Sequence, residues 1–278
     1  MKTVLCASDF FYPVHISIKE SKHEVIKVFT SCSIESGFSN KTLEFANEMG
    51  AEFRVGQITA TDIEELEKAG VTVLISAAYD YKIPTPVASN IKFINIHGSL
   101  LPDGRGPWPQ PWILLKHPEF AGVTFHTMTQ EWDHGDIILQ QKINLADNEN
   151  IDSLTAKTIV CVSDLANQLF NNFEEHWKHR YPMMTKGIYW KKPTEEDRTI
   201  KLTDSSEQVQ AIYRAFGDFT LFKDPQTNTA SRIIKLSTWQ KSHSYKPGSL
   251  IAMSPPQHIY AIKDGYVSII FTSLNSKY

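Results

Sequence analysis

The chain has 278 residues, of which 41% are hydrophobic and 21% charged, and a formal net charge of −3. That length is ample for two domains with a sizeable core, and the ordinary composition excludes a disordered tail and a globally basic nucleic-acid binder, leaving room only for a local basic patch. Cys6, Cys32 and Cys161 are an odd number without paired metal spacing, which fits reduced thiols and not a disulfide framework. In chain order, Met1-Lys2-Thr3-Val4-Leu5-Cys6-Ala7-Ser8 turns polar too soon for a signal peptide, and no apolar run approaches the ~20 residues of a membrane span, so a cytoplasmic protein is expected.

Residues 3–7 read as a buried strand, 14–22 as a helix and 23–29 as a second strand, a βαβ beginning. The first turn, Ser8-Asp9-Phe10-Phe11-Tyr12-Pro13, lacks the Gly-x-Gly-x-x-Gly that brings a pyrophosphate onto a helix N-terminus, which disfavours a nicotinamide dehydrogenase. Residues 40–50 follow as a helix stopped by Gly50, 61–69 as a short acidic helix, and 71–75 as a fully buried strand. This alternation argues a mostly parallel sheet with helices on both faces. Later, apolar residues at helical intervals predict one long helix over 152–178, including Leu154, Ile159, Val162, Leu165, Leu169, Phe173 and Trp177. Residues 181–193 mix proline, glycine and aromatics and read as a linker. A helix at 205–215 and short strands at 233–236, 249–253, 258–262 and 266–271 suggest a small open β-barrel. The expected division is therefore 1–180, a linker at 181–199, and 200–278.

The stretch over 93–140 carries the chemistry. Phe93-Ile94-Asn95-Ile96-His97-Gly98-Ser99-Leu100-Leu101-Pro102 reads as a buried strand ending in a proline-closed turn, and alternation puts Asn95 and His97 on one face. Downstream, Trp132-Asp133-His134-Gly135-Asp136 forms a turn between strands at 123–128 and 137–140. Asn95-x-His97, the Ser99-Leu100-Leu101-Pro102 turn and Asp133-x-Gly135 at this spacing resemble the signature of formyltransferases that use 10-formyltetrahydrofolate. The likeness extends over most of the chain: a Rossmann-like α/β formyltransferase domain and a smaller C-terminal, OB-like barrel as in the methionyl-tRNA and amino-sugar members.

The residue types fit that chemistry. Asn95 offers an amide N–H to a developing oxyanion. His97 exchanges protons near neutrality and suits the base that takes the amine proton. Asp133 would orient that imidazole and favour its charged form. No Ser or Cys nucleophile motif is evident, in line with direct transfer. Taken singly, each residue is more often a structural histidine or a turn-former; together, the same-face Asn95 and His97, the following turn and the spaced Asp133-x-Gly135 favour function. The resemblance implies that Tyr81, Lys82 and Ile83 border the folate, although a strand end with packed tyrosines explains them as well. It also makes Thr129, Gln130 and Glu131 a second wall of that site, against the alternative of a solvated loop. Ser99 and Arg105 are candidate acceptor-binding residues, Arg105 for an anionic part, with a purely structural arginine as the other reading. His126, His134 and Asp136 repeat no known ligand spacing, so no metal is expected.

The expected reaction moves formyl from 10-formyltetrahydrofolate, as co-substrate, to a primary amine. A small-molecule acceptor is favoured, a nucleotide-linked amino sugar or a hydroxyornithine-type amine. Residues 30–40 hold no lysine or arginine, whereas the tRNA-dependent members carry a basic insertion there, and the net acidity points the same way. Transfer RNA stays as an alternative, as does a formyltetrahydrofolate hydrolase. A homodimer is compatible with the pattern.

Overall fold

The computed structural model describes residues 1–273. The chain divides into two compact units: residues 1–106, 120–144 and 156–190 form the first, and 107–119, 145–155 and 191–278 the second. The segment at 107–119 joins the second unit because helix α4 (Gln110–Leu115) packs against α7 (Ser206–Phe216) and the Trp108 ring meets Phe216 and Phe219 edge-on. A split at residue 180 drawn from the sequence misses this.

The first unit is built on seven strands, β1 (Lys2–Ala7), β2 (Glu24–Thr30), β3 (Glu52–Val55), β4 (Val73–Ala77), β5 (Lys92–His97), β6 (Gly122–Thr127) and β7 (Ile137–Lys142). Their order is β3-β2-β1-β4-β5-β6-β7. The first five run parallel, with helices α1 (Tyr12–Glu20), α2 (Asn40–Met49) and α3 (Ala60–Lys68) supplying the crossovers up to β4 and the non-helical segment 78–91 the one to β5. β6 and β7 are antiparallel to their neighbours.

The helices stop and start as their capping chemistry dictates. Gly50 ends α2 at φ +65°, with its N–H turned back to Ala46 and Asn47 carbonyls. Thr59 and Asp62 form a capping box on α3, and the Asp62 carboxylate also takes both guanidinium nitrogens of Arg54, at 2.5 and 2.8 Å. Burial alone would raise the Asp62 carboxyl, but the hydrogen bonds from Arg54 and Thr59 outweigh it and hold the group down at about 2.

Two sequence expectations change here. The helix foreseen over 152–178 is two, α5 (Ile151–Asn171) and α6 (Phe173–Lys178), parted at Asn172, whose φ of −136° is not helical. The edge strand β3 was not foreseen, since Glu52-Phe53-Arg54-Val55 is short, half exposed and carries no apolar run.

The second unit holds a six-stranded sheet, β8 (Thr199–Ile200), β9 (Leu221–Lys223), β10 (Ala230–Gln240), β11 (Leu250–Ser254), β12 (Gln257–Ile262) and β13 (Gly265–Ser273), in the order β11-β12-β13-β10-β9-β8. All pairs are antiparallel except β8 with β9. Val209 of α7 packs with Ile233, Tyr260, Val267 and Ile269 in its core. Among the described residues no helix is long and apolar enough to cross a membrane.

Candidate active site

β5 is an interior strand of its sheet, and Phe93 near its start packs in the apolar core with Leu74 and Ile91 on the face that Asn95 and His97 continue. Asn95 and His97 lie on one face near its carboxyl end. β6 runs antiparallel beside it in a register that sets Asn95 opposite His126 and His97 opposite Thr124. A polar patch on two adjacent strands results.

The loop after β5 closes on itself and on that patch. His97 Nε2 lies 2.7 Å from the Gly104 carbonyl, an acceptor only, so this nitrogen carries the proton and Nδ1 of the neutral ring holds the lone pair. Nδ1 faces Asp133 Oδ1 at 3.5 Å. The imidazole is thus oriented by a backbone carbonyl, and Asp133 stands beyond hydrogen-bond length as a nearby negative charge. That differs from the direct orienting role expected of Asp133. The Asp133 carboxylate is itself held by the Gly106 N–H at 2.8 Å on Oδ2, while Oδ1 accepts from Asn95 Nδ2 at 3.3 Å. Its backbone has φ +49°, in the left-handed region that Asp tolerates better than most residues. The next turn residue but one, Gly135, cannot be replaced at all readily, because a Cβ there would sit 2.0 Å from the Thr127 carbonyl.

Asn95, His97 and Asp133 therefore converge within one unit. Ser99 is fully buried, and its hydroxyl lies 2.9 Å from Asp103 O and 3.2 Å from Gly104 O, the carbonyl that also takes His97 Nε2. Its one hydrogen is spent within the loop, and its oxygen remains an acceptor. Arg105 is only 6% exposed, and its Nη1 lies 3.5 Å from Trp132 O and 3.7 Å from Glu131 Oε2. Its buried Nε has no hydrogen-bond partner.

Of the residues expected near the folate, Tyr81 is 39% exposed and packs on Tyr79, Lys82 is exposed, and Ile83 is buried in the cluster with Phe93. Met128 packs against the same cluster, which brings the start of the 129–131 loop to that wall. Thr129 Oγ1 donates to His134 O at 2.8 Å and shapes the loop, while Gln130 and Glu131 are exposed. Asp136 is paired with Arg180 at 3.1 Å, and among the described residues no three His, Cys, Asp or Glu side chains converge on a common point.

The linker holds functional structure that sequence reasoning missed. Arg105 N donates to Ile188 O at 3.2 Å, Trp190 N to Arg105 O at 2.7 Å, and Ile188 N to Asp103 Oδ1 at 3.0 Å. Residues 188–190 so strap the loop that presents Gly104 and Gly106 to the two catalytic candidates. A Cβ on Gly106 would meet Trp190 O at 2.1 Å, and one on Gly187 would meet Pro102 O at 1.8 Å. The Gly-Arg-Gly and Lys-Gly-Ile patterns were the available signals.

The formyl transferase family model matches residues 6–163, more than half of the chain. The chain belongs to the formyl transferase family. Methionyl-tRNA formyltransferase of Ehrlichia chaffeensis is 29% identical over 297 aligned positions, covering 100% of this chain and 93% of that protein. The Treponema denticola protein of the same name is 32% identical over 55% of this chain and 48% of its own length. Among solved structures, the N-formyltransferase from Helicobacter canadensis in complex with folinic acid and dTDP-3-aminofucose superposes with a TM-score of 0.70 at 16% identity, over 98% of this chain and 99% of that one. HypX from Aquifex aeolicus in complex with tetrahydrofolic acid gives 0.68 at 18% identity, and the chain spans 43% of its length. At these identities the two superpositions establish the shared fold. This formyl transferase is thus an enzyme whose family-matched segment contains the whole Asn95, His97 and Asp133 constellation.

Proposed function

We propose that this formyl transferase uses 10-formyltetrahydrofolate to formylate the primary amine of a small molecule, with a nucleotide-linked amino sugar as the favoured class. The observation that carries the chemistry is the convergence of Asn95, His97 and Asp133 around one carboxylate oxygen. The neutral amine attacks the formyl carbon, the C=O pair moves onto oxygen, and the amine proton passes to His97 Nδ1, whose tautomer is set by Gly104 O. Once charged, His97 offers Asp133 Oδ1 a stronger donor than Asn95 does at 3.3 Å, and that Asn95 hydrogen is freed, without rotation of the amide, for the oxyanion. Collapse returns the C=O, breaks the bond to the folate nitrogen and delivers the proton to that leaving nitrogen. Tyr81, Lys82 and Ile83 with Thr129, Gln130 and Glu131 form the folate walls in this reading, and Arg105, with a buried unpartnered Nε, meets the acceptor's anionic part. The six-stranded sheet with α7 packed on it supports an OB-like second unit.

For the acceptor, two of the four cations at 186, 191, 192 and 198 already face carboxylates, Lys186 near Glu131 at 3.7 Å and Arg198 near Glu195 at 3.6 Å, which leaves little for a phosphate backbone. The full-length likeness to a methionyl-tRNA formyltransferase favours the second reading, initiator methionyl-tRNA. Incubation with 10-formyltetrahydrofolate and a mixed pool of nucleotide-linked amino sugars, small amines and charged initiator tRNA decides between them. The expected result is one sugar heavier by a formyl group. Efficient formylation of the tRNA, with a rate falling steeply between ~50 and ~200 mM salt, overturns the choice of acceptor.

A further inference from the structure

His126 has no role in the steps above, yet it is 1% exposed and opposite Asn95 in the strand register. Its Nδ1 lies 2.8 Å from Thr127 O, an acceptor only, so Nδ1 carries the proton. Its Nε2 is then a bare lone pair, 3.1 Å from Asn95 Nδ2. Asp133 Oδ1, the other neighbour of that nitrogen, also only accepts. Two acceptors on one side require the NH2 of the Asn95 amide to face them, and both of its hydrogens are engaged, one by His126 and one by Asp133.

We propose that His126 is a positioning residue: it keeps one Asn95 hydrogen throughout the reaction, so that the amide does not turn when the other hydrogen moves from Asp133 to the oxyanion. This rests on the formyl-transfer reading above. A protonated His126 would present Nε2–H to an NH2 group, two donors facing each other, and the hold would be lost. Burial keeps that from happening at neutral pH by pushing the imidazole down to about 4, against the opposing pull of Asp133; His97 and His134 also face it and act in the same direction as burial. Leu or Val on β6 would fill the space but leave the amide one acceptor short. The weaker 3.3 Å contact would then hold it alone.

Two measurements test this, one of them independent of turnover. In a long-range proton–nitrogen spectrum of the 15N-histidine-labelled protein, His126 is expected as the neutral Nδ1–H tautomer from pH 5 to 8, with its Nε2 signal moving in Asn95→Ala. In formyl transfer, His126→Leu is expected to lower kcat on the order of tenfold, the loss of about one hydrogen bond, with KM for the formyl donor within about twofold. His126→Gln, which keeps an acceptor, recovers part of it. In an Asn95→Ala background the same change costs less than about twofold, because residues that act as a unit are not additive. An Nε2–H tautomer, titration near the ordinary histidine value, or equal losses in both backgrounds overturns the proposal. Absence of any formyl transfer by the wild-type protein defeats the reaction reading, and the spectrum alone then decides the histidine's state.

Discussion

β4 and β5 lie side by side in one parallel sheet, with Val73 opposite Lys92, Ser76 opposite Asn95 and Ala77 opposite Ile96. Every residue of β4 is buried, and its single hydroxyl is its only polar side chain. β5 has the same apolar frame but carries an amide and an imidazole, which β4 could not hold. The difference lies in the next strand over. A buried polar group is costly unless paired, and β6 supplies the pairing: His126 for Asn95 and, through Thr124, the anchoring of the following loop at Ser99 O and Leu101 N. The proposed chemistry thus lies where a parallel strand meets an antiparallel one, with a second polar strand beside it.

Substitutions on the two strands separate these roles. Asn95→Ala, His97→Ala and Asp133→Ala are expected to lower kcat/KM by about 10²–10⁴-fold each, with thermal unfolding near that of the wild type. The triple variant should be little worse than the worst single one. A steady-state assay beside a melting curve checks both, and wild-type turnover in any variant removes that residue from the mechanism. Leu74→Ala on β4 reverses the pattern: a loss of about 2–5 kcal/mol in chemical denaturation from the cavity left, with turnover of the folded fraction close to normal. Gly106→Ala should do some of each. Its Cβ would press on Trp190 O, costing about 1–3 kcal/mol of backbone strain, and the displaced N–H would loosen Asp133. If its kcat is unchanged, the loop does not hold the carboxylate.

The smallest expected effect lies far from the site, on the α3 cap. The Asp62 carboxyl is held down at about 2 in the folded protein, below its ordinary value near ~3.9, so its contribution is full above that ordinary value and disappears as pH falls towards 2. Asp62→Asn should lower stability at neutral pH by about 1 kcal/mol, kept small by the partial exposure of Arg54. The gap between the two proteins should close in acid. A constant gap across pH 2–6 would mean that the pair with Arg54 is not what depresses the group.

The legible parts of this protein were those whose cause is local. Alternation in Phe93-Ile94-Asn95-Ile96-His97 is enough to set two polar side chains on one face, Gly50 is enough to end a helix, and Asp133 before His134-Gly135 is enough for a turn. What stayed hidden depends on partners distant in the chain. Nothing near His126 says that β6 will lie against β5, or in which register, so its lone pair could not be assigned. The bond from the Ser99 hydroxyl to Asp103 O at 2.9 Å depends on how the loop folds back, which the sequence does not show. The break at Asn172 had a weak local sign in the Asn171-Asn172 pair, but the uninterrupted apolar stripe through Phe173 and Trp177 outvoted it.

The strap at 188–190 has a consequence in time as well as in space. Its hydrogen bonds to Asp103 and Arg105 join positions up to 85 residues apart in the chain. The sheet that carries Asn95 and His97 has all seven strands once residue 142 has been made, yet the loop bearing Gly104 and Gly106 gains its clamp only when Trp190 has left the ribosome. In the nascent chain the strands that carry the candidate site therefore precede the segment that fixes its loop. Truncation before residue 188 removes the clamp, so the shortest form able to hold Asp133 in place should be one that extends through Trp190.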